Sequence, residues 1–350
     1  MKKIIVLLLA ALLAGCFSAC SSDNKTASGN SDKSDSKKIK IVTTIFPEYD
    51  WVKNVLGSNP GNAEVTMLLD NGVDLHSYQP TADDILKISN CDLFIYVGGE
   101  SDEWVEDALK EALNKNMKVL NLLDILGSSV KEEEMVEGMQ AEDEEHHHDY
   151  EDEHEEDGHE HEEDGHEHEE ETEYDEHVWL SLRHAETIVN SVADALSKID
   201  TANGDAYRSN AASYCEKLKT LDEEYKKAVS EAPVKTLLFG DRFPFRYLVD
   251  DYGISYYAAF VGCSAETEAS FETITFLSKK VDELSLHAVM TIEGADHRIA
   301  ETIIRSTASK DQKILTLDSL QSVTSKEVQN GTTYLSIMED NLKVLKEALK

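Results

Sequence analysis

The chain has 350 residues, of which 41% are hydrophobic and 29% are charged. That hydrophobic share is sufficient for folded cores and excludes a wholly disordered protein. The net charge is −37, but residues 132–176 hold 26 acidic residues and neither Lys nor Arg, so subtracting these 26 charges leaves −11 on the rest of the chain. We expect no nucleic-acid partner, because phosphates need a basic face and none is visible. A polyanionic segment instead indicates cations as the ligand.

The N-terminus has the pattern of an export signal. Two lysines precede an apolar run over residues 4–13, which is too short to span a bilayer. The tetrapeptide LAGC ending at Cys16 resembles a bacterial lipobox, which predicts lipidation of Cys16, with Cys20 as the alternative. Residues 1–15 are then a signal peptide, and residues 16–38, rich in Ser, Asp, Asn and Lys, a flexible tether. We therefore expect an exported protein, anchored by lipid to the outer face of the bacterial cytoplasmic membrane.

Short apolar runs alternate with helical patterns in both halves of the remaining chain. In the first half the patterns predict strands at 39–45, 64–69, 92–97 and 118–122, and helices at 47–56, 81–89 and 103–114. In the second half they predict strands at 236–239, 255–260, 288–292 and 313–317, and helices at 271–284, 295–308 and 325–349. Thr81 and Asp84 have capping-box spacing, which supports a helix start at Thr81. Two alternating blocks predict an α/β fold of two lobes.

A long helical pattern separates the two blocks. Apolar residues from Ile188 to Ile199 share one face, and after Asn203-Gly204 the pattern resumes from Tyr207 to Ala228 with spacings of four and three. This seam of about six turns predicts a rigid spine helix. We place the N-terminal lobe at 39–204, the linking helix at 205–231 and the C-terminal lobe at 232–350. The ligand site is then expected in the cleft between the lobes.

A low-complexity acidic segment, residues 132–174, interrupts the N-terminal lobe. The heptapeptide EEDGHEH occurs in it twice, at 155–161 and 162–168. Its eight histidines are His146, His147, His148, His154, His159, His161, His166 and His168. Such a segment cannot form a core and is expected to be disordered without ligand. Because imidazole is a good zinc donor and carboxylates concentrate cations, we expect several weak, fast-exchanging metal sites rather than a merely solvated insertion.

A more selective site is predicted where three further donors stand at the ends of elements. His76 lies in a turn-rich loop, His177 precedes a helix that Ser181 could cap, and Glu293 ends a predicted strand. Two histidines and a carboxylate from different lobes form a plausible zinc or manganese set. His297, four residues after Glu293, is a weaker candidate. Because imidazole binds metal only when neutral, affinity should fall below about pH 6.5.

The remaining cysteines and histidines are predicted to be structural. Cys91, Cys215 and Cys263 show no C-x-x-C spacing, which predicts neither a disulfide framework nor a thiolate zinc site. Cys91 and Cys215 are expected to be small buried side chains. His184, on a helix, and His287, before a strand, are expected to be structural or exposed.

Several of these motifs together resemble a known family. They are His76 followed by Pro80-Thr81, the pentapeptide HVWLS starting at His177, Tyr252-Gly253, and Glu293. In combination they are similar to the solute-binding lipoproteins of zinc ABC importers, the ZnuA-like or AdcA-like group of the cluster A-I metal-binding family, over about residues 38–349. The resemblance implies two α/β lobes joined by a rigid helix, with a metal held between them by histidines and a carboxylate. It also implies a monomeric, non-enzymatic protein that delivers metal to a membrane permease driven by a cytoplasmic ATPase.

The chain departs from the family pattern at one ligand position. The family's third ligand, a His in zinc binders and often a Glu in manganese binders, aligns with Arg242, which keeps its proton and cannot donate to a metal. Asp241 beside it is the candidate substitute; Glu266, Glu268, a histidine of the acidic segment or a water are alternatives. Arg242 could also pair with Glu293 when no metal is bound. The core set is therefore His76, His177 and Glu293, with Asp241 added.

Other functions fit the sequence less well. Imidazole-rich composition favours zinc, while a manganese or iron(II) receptor remains the nearest alternative because oxygen donors suit harder metals. A secreted metallohydrolase is disfavoured, since no H-E-x-x-H motif occurs. A surface adhesin or metal buffer that feeds no permease is the third alternative.

Overall fold

The computed structural model describes residues 38–58, 63–140, 173–264 and 268–350. All of them belong to one unit. Cys16, Cys20, Glu266 and the eight histidines of the acidic segment lie outside the described residues. Within the described ranges, no helix is both long enough and apolar enough to cross a membrane.

The N-terminal half forms a four-stranded parallel sheet with the order β2-β1-β3-β4. Its strands are β1 (Ile39–Thr43), β2 (Ala63–Met67), β3 (Leu93–Tyr96) and β4 (Lys118–Asn121). Its helices are α1 (Phe46–Leu56), α2 (Ala82–Ser89), α3 (Trp104–Lys110) and α4 (Leu122–Leu126). The predicted capping box starts α2: Thr81 Oγ1 accepts from Asp84 N at 3.2 Å, and Asp84 Oδ2 accepts from Thr81 N at 3.1 Å.

The C-terminal half forms a second four-stranded parallel sheet, with the order β6-β5-β7-β8. Its strands are β5 (Thr236–Phe243), β6 (Ser255–Val261), β7 (Ala288–Ile292) and β8 (Lys313–Leu317). Its helices are α7 (Arg246–Tyr252), α8 (Phe271–Glu283), α9 (Arg298–Ser306), α10 (Ser325–Gln329) and α11 (Tyr334–Ala348). The predicted α/β fold of two lobes is confirmed, and both sheets are parallel. Loops at the carboxyl ends of parallel strands can form a binding cleft.

Two long helices, α5 (Leu182–Ile199) and α6 (Gly204–Glu231), connect the sheets. The apolar seam predicted for α6 is buried from Tyr207 to Tyr225, and Ala228 is half-buried. Helix α6 packs against α1 of the first half and against α7 and α11 of the second. It therefore lies against both halves of the molecule, as a connecting spine should, while the exact lobe boundaries stay a prediction.

The first residues of the acidic segment, 132–140, lie on the C-terminal sheet, so this part of the segment that was predicted to be disordered is ordered. Gln140 N donates to Ala259 O of edge strand β6 at 2.9 Å, and Tyr256 OH donates to Glu134 Oε2 at 3.0 Å. The returning chain pairs with it: Asp175 N donates to Lys131 O at 2.9 Å. This pairing brings the chain back from the insertion directly beside His177.

Two differences from the predicted elements have local causes. The predicted final helix, 325–349, is divided into α10 and α11 around Gly331, whose φ of 100° is incompatible with a right-handed helix. Helices α4 and α7 were not predicted; each has only five to seven residues, too few for a helical period to show.

Candidate metal centre

His76 lies in a one-turn 3-10 helix, Leu75–Ser77, in the loop after β2. Asp74 caps this turn, its Oδ1 accepting from His76 N at 3.0 Å. The other oxygen of Asp74 accepts from the guanidinium of Arg242, on β5 of the second sheet. An ion pair across the two halves therefore fixes the turn that carries His76, and Arg242 pairs with Asp74 rather than with Glu293.

His177 is fully buried at the start of the turn that leads into α5. Asp175 Oδ1 accepts from His177 N at 2.9 Å and lies 3.0 Å from His177 Nδ1. Ser181 caps α5 as predicted, accepting from His184 N at 3.1 Å. A carboxylate at Nδ1 orients the ring and assigns its proton to that nitrogen, as in many histidine metal ligands.

The two imidazoles face each other through their other nitrogens. His76 Nε2 and His177 Nε2 are 3.1 Å apart. Because Asp175 holds the proton of His177 on Nδ1, the His177 Nε2 lone pair faces His76. His76 Nδ1 lies 2.8 Å from Ser101 Oγ, a hydroxyl that can either donate or accept. With Ser101 donating, His76 Nε2 carries the proton and donates to His177 Nε2. With Ser101 accepting, both Nε2 lone pairs point at one place, where a metal ion could accept both.

The surroundings keep His76 in the form that binds metal. Burial, followed by the nearby His177, lowers the pKa of His76 far below its ordinary value, while Asp74 acts in the opposite direction. This imidazole therefore remains neutral well below pH 6.5, the value expected for an exposed histidine. We therefore expect any loss of metal through protonation of His76 to occur at more acidic pH than the sequence analysis predicted.

Cys263 is the donor that the sequence analysis missed. Its sulfur and one nitrogen from each of His76 and His177 all lie within 4.8 Å of one another. The prediction that the three cysteines contribute to no thiolate site rested on the missing C-x-x-C spacing, which does not test for mixed sites. The available signal was position: Cys263 stands two residues beyond the carboxyl end of β6, the same kind of place that singled out Glu293.

The three donor atoms have separations suited to a tetrahedral zinc ion. Zn–N bonds of about 2.05 Å and a Zn–S bond of about 2.3 Å imply N···N and N···S separations of about 3.3 and 3.6 Å. The two Nε2 atoms are 3.1 Å apart, and the sulfur lies within 4.8 Å of one ring nitrogen of each histidine. A zinc ion held by all three donors would require the sulfur to stand about 3.6 Å from each nitrogen that binds the ion.

Glu293 lies at the carboxyl end of β7, as predicted, but both its oxygens are engaged elsewhere. Oε2 accepts from Ser319 N at 2.7 Å and Oε1 accepts from Ser319 Oγ at 2.6 Å. Burial, followed by the nearby Asp318, raises the pKa of Glu293 to about 7. Glu293 is not part of the donor group of His76 and His177, and reaching an ion there would require it to leave Ser319.

Asp241 is likewise not brought to the two histidines. Its oxygens accept from Arg242 N at 2.9 Å and from Ile292 N at 3.1 Å. The bond from Ile292 N joins β5 to β7, where the ladder between them has a single registered pair, Phe239 with Met290. Burial raises the pKa of Asp241. Its contacts are those of a structural carboxylate, and Glu268 is an exposed residue outside the donor group.

The other described histidines also lie outside the donor group. His184 packs edge-on against Tyr247, with ring centroids 5.1 Å apart. His287 Nε2 lies 2.7 Å from Glu347 O. His297 precedes α9 with a left-handed φ of 61°. These placements agree with structural roles for His184 and His287 and separate His297 from His76 and His177.

Comparison with known proteins shows which family the chain resembles. A family model described as "Zinc-uptake complex component A periplasmic", ZnuA, matches residues 41–348. The zinc-binding lipoprotein AdcA of Streptococcus pneumoniae is 32% identical over 99% of this chain. The high-affinity zinc uptake system protein ZnuA of Bacillus subtilis is 30% identical, with 97% of this chain and 96% of that protein covered.

A solved structure agrees with this assignment. The Zn(II)-bound ZnuA-like domain of Streptococcus pneumoniae AdcA has a TM-score of 0.64 and 27% identity, covering 89% of this chain and 99% of that one. The chain spans only 56% to 61% of the length of the AdcA relatives that it matches. The match nevertheless includes nearly all of the present chain, from the first strand to the last helix. The chain belongs to the ZnuA family of zinc-uptake components.

Proposed function

We propose that this protein is the extracytoplasmic solute-binding component of a zinc ABC importer, which captures Zn(II) and passes it to a membrane permease. The observation that carries the proposal is the 3.1 Å approach of His76 Nε2 to His177 Nε2, with each Nδ1 held by its own oxygen partner. Paired imidazoles oriented by such partners are a zinc-binding arrangement. They favour zinc over manganese or iron(II), which prefer more oxygen donors.

Glu293 is retained in the proposal as a further ligand. It stands at a strand end in the second lobe, and its two bonds to Ser319 are replaceable when metal enters. A carboxylate arriving from this lobe would join the lobes through the ion. The loaded cleft would then present a surface that a permease distinguishes from the empty one.

The test measures zinc binding to the full chain with its eight segment histidines replaced by serine, here called the tract-serine chain. After removal of metal by a chelator, competition against a chromophoric chelator should give one tight zinc site. His76→Ala and His177→Ala should each weaken it by more than about a hundredfold, since losing a ligand exceeds the 10–100-fold loss typical of an orienting partner. His287→Gln, which alters a histidine outside the donor group, is the matched control. Unchanged affinity in both alanine variants would overturn the proposal.

The acidic segment is proposed to be an auxiliary zinc trap. Its eight histidines and many carboxylates should hold several ions weakly, and the described chain after it returns beside His177. Calorimetry should therefore show more zinc per protein for the natural chain than for the tract-serine chain, with the tight site present in both. Equal stoichiometry would remove this role.

Lipid anchoring and partnership with a permease are also proposed. Lipidation at Cys16, with Cys20 as the alternative, should be detected as a diacyl mass on the N-terminal peptide and be lost in Cys16→Ser. Zinc-dependent retention by a purified permease would support the transport role. Hydrolysis of model peptides or esters by the zinc-loaded chain would instead indicate an enzyme.

A further inference from the structure

The family's third metal ligand is replaced in this chain by a residue that cannot bind metal, and the structure shows what that residue does instead. Arg242 pairs with Asp74 across the two halves, and Asp74 in turn caps the turn that carries His76. Arg242 is therefore committed to positioning His76. The metal centre proposed above requires a third donor from another position.

We propose that Cys263 supplies that third donor, so that the centre of this chain is a mixed site of two imidazoles and one thiolate, to which Glu293 can be added as a fourth ligand. This inference rests on the proposed zinc-binding function and specifies the chemistry of its site. Among the described residues, Cys263 is the one member of the donor group that comes from the second sheet. Coordination by Cys263 would thus link the two lobes through the ion, because His76 and His177 both precede the connecting helix α6.

The backbone around Cys263 is shaped to admit the sulfur. Gly262 lies directly against the His177 ring: a Cβ at Gly262 would be 2.9 Å from His177 Cε1 and 3.0 Å from Phe243 O. Glycine thus allows the turn after β6 to approach closely enough for the sulfur of the next residue to lie within 4.8 Å of one nitrogen of each imidazole. Cys263 N donates to Glu133 Oε1 at 3.4 Å, which anchors the turn from the other side.

The chemistry of the thiol suits a reversible site. Burial, followed by Glu133 and Glu176, raises the pKa of the Cys263 thiol, so the empty site holds a neutral S–H group. When metal enters, the S–H bond is broken, the sulfur–metal bond forms and the proton leaves to solvent. A thiolate with two imidazoles is a softer donor set than histidines with carboxylates, and it discriminates more strongly against manganese.

Cobalt spectroscopy tests the inference directly. The tract-serine chain loaded with one Co(II) should show a near-ultraviolet thiolate-to-cobalt absorption band that Cys263→Ser abolishes. Cys91→Ser and Cys215→Ser, which remove buried thiols outside the donor group, should keep the band. Zinc affinity should fall by more than about a hundredfold in Cys263→Ser, since losing a ligand exceeds the 10–100-fold loss typical of an orienting partner. Cys263→His should bind zinc without the band, which distinguishes loss of a ligand from misfolding.

A second measurement needs no substitution. At alkaline pH, where more of the thiol ionises, zinc should slow the labelling of Cys263 by iodoacetamide, mapped by peptide mass spectrometry, and this protection should disappear when a chelator is added. If the unmodified protein binds one zinc ion tightly but shows neither the cobalt band nor protection, the thiolate assignment is overturned while the proposed function stands. Glu293→Gln, compared in the same titration, then shows whether that carboxylate is the third ligand instead. If no tight site exists in the unmodified protein, the proposed function itself fails.

Discussion

Asp175 offers the sharpest test of how the centre is organised, because it orients a ligand without binding metal in the proposed arrangement. One of its oxygens bonds both the backbone N of His177 at 2.9 Å and the ring Nδ1 at 3.0 Å. Asp175→Asn preserves the shape and one acceptor oxygen but removes the negative charge. Asp175→Ala removes the acceptor altogether and leaves His177 Nδ1 without this partner.

The expected losses follow from the strength of the bonds removed. A hydrogen bond to a charged group contributes about 1.5–3 kcal/mol, and a neutral one about 0.5–1.5 kcal/mol. Asp175→Asn should therefore cost about 1.4 kcal/mol of zinc binding, which corresponds to a tenfold weaker affinity. Asp175→Ala should cost about 10–100-fold, the range typical for loss of an orienting partner.

The assay is chelator competition at pH 7 on the tract-serine chain, with urea unfolding measured in parallel. Asp251→Asn is the matched control: it removes a largely buried carboxylate that accepts from Ser181 Oγ at 2.6 Å and pairs with Arg183 at 3.2 Å, without touching either imidazole. The control should lose stability but keep zinc affinity. Wild-type affinity in Asp175→Asn and Asp175→Ala, or an equal loss in the control, would refute the assigned orienting role.

Three other changes have expected outcomes of known direction. Gly262→Ala should weaken zinc binding in the competition assay by about tenfold or more, because the added Cβ would lie 2.9 Å from His177 Cε1; wild-type affinity would show that the turn can yield. Burial raises the pKa of Glu48 from 4.5 to about 8. Between these two pH values, the folded state keeps a proton on Glu48 that the unfolded state has lost. The free energy of unfolding should therefore fall as the pH rises between these values, by up to about 1.4 kcal/mol per pH unit. Urea unfolding at several pH values should show a weaker pH dependence of this free energy for Glu48→Gln. Trp179→Phe removes the hydrogen bond that Trp179 Nε1 donates to Ser319 O at 2.8 Å. It should lower the free energy of unfolding, measured with urea, by about 1–3 kcal/mol, the cost of leaving a buried carbonyl unsatisfied. An unchanged urea midpoint would contradict a contribution from this bond.

The elements of the fold were predictable because each depends on local patterns. Strands with both faces buried read as continuous apolar runs: β7 (Ala288–Ile292) is buried at every position and was predicted with the same bounds. The α6 seam was equally visible, since one face of a long helix repeats at fixed spacing. The break between α10 and α11 was missed because it depends on the backbone conformation at Gly331, which no apolar pattern encodes.

The centre was only partly predictable, for a reason of distance along the chain. His76 and His177 could be selected because each stands at the end of an element, where side chains reach a cleft. Cys263 has the same kind of position but was set aside, because zinc thiolates are usually recognised by short spacing. Its nearness to His76, 187 positions away in the sequence, depends on how two separate sheets are packed.

By itself, the sequence determined the export signal pattern, the acidic histidine-rich segment, the two-lobed α/β fold and two of the three clustered donors. These features are written in composition and in periodicity over short windows. Tertiary structure decided the partners of the side chains at the cleft: Arg242 with Asp74, Glu293 with Ser319, and Cys263 with the paired imidazoles. Such choices depend on which loops face each other across the lobes, because the direction of a loop side chain is set by long-range packing rather than by its neighbours in sequence.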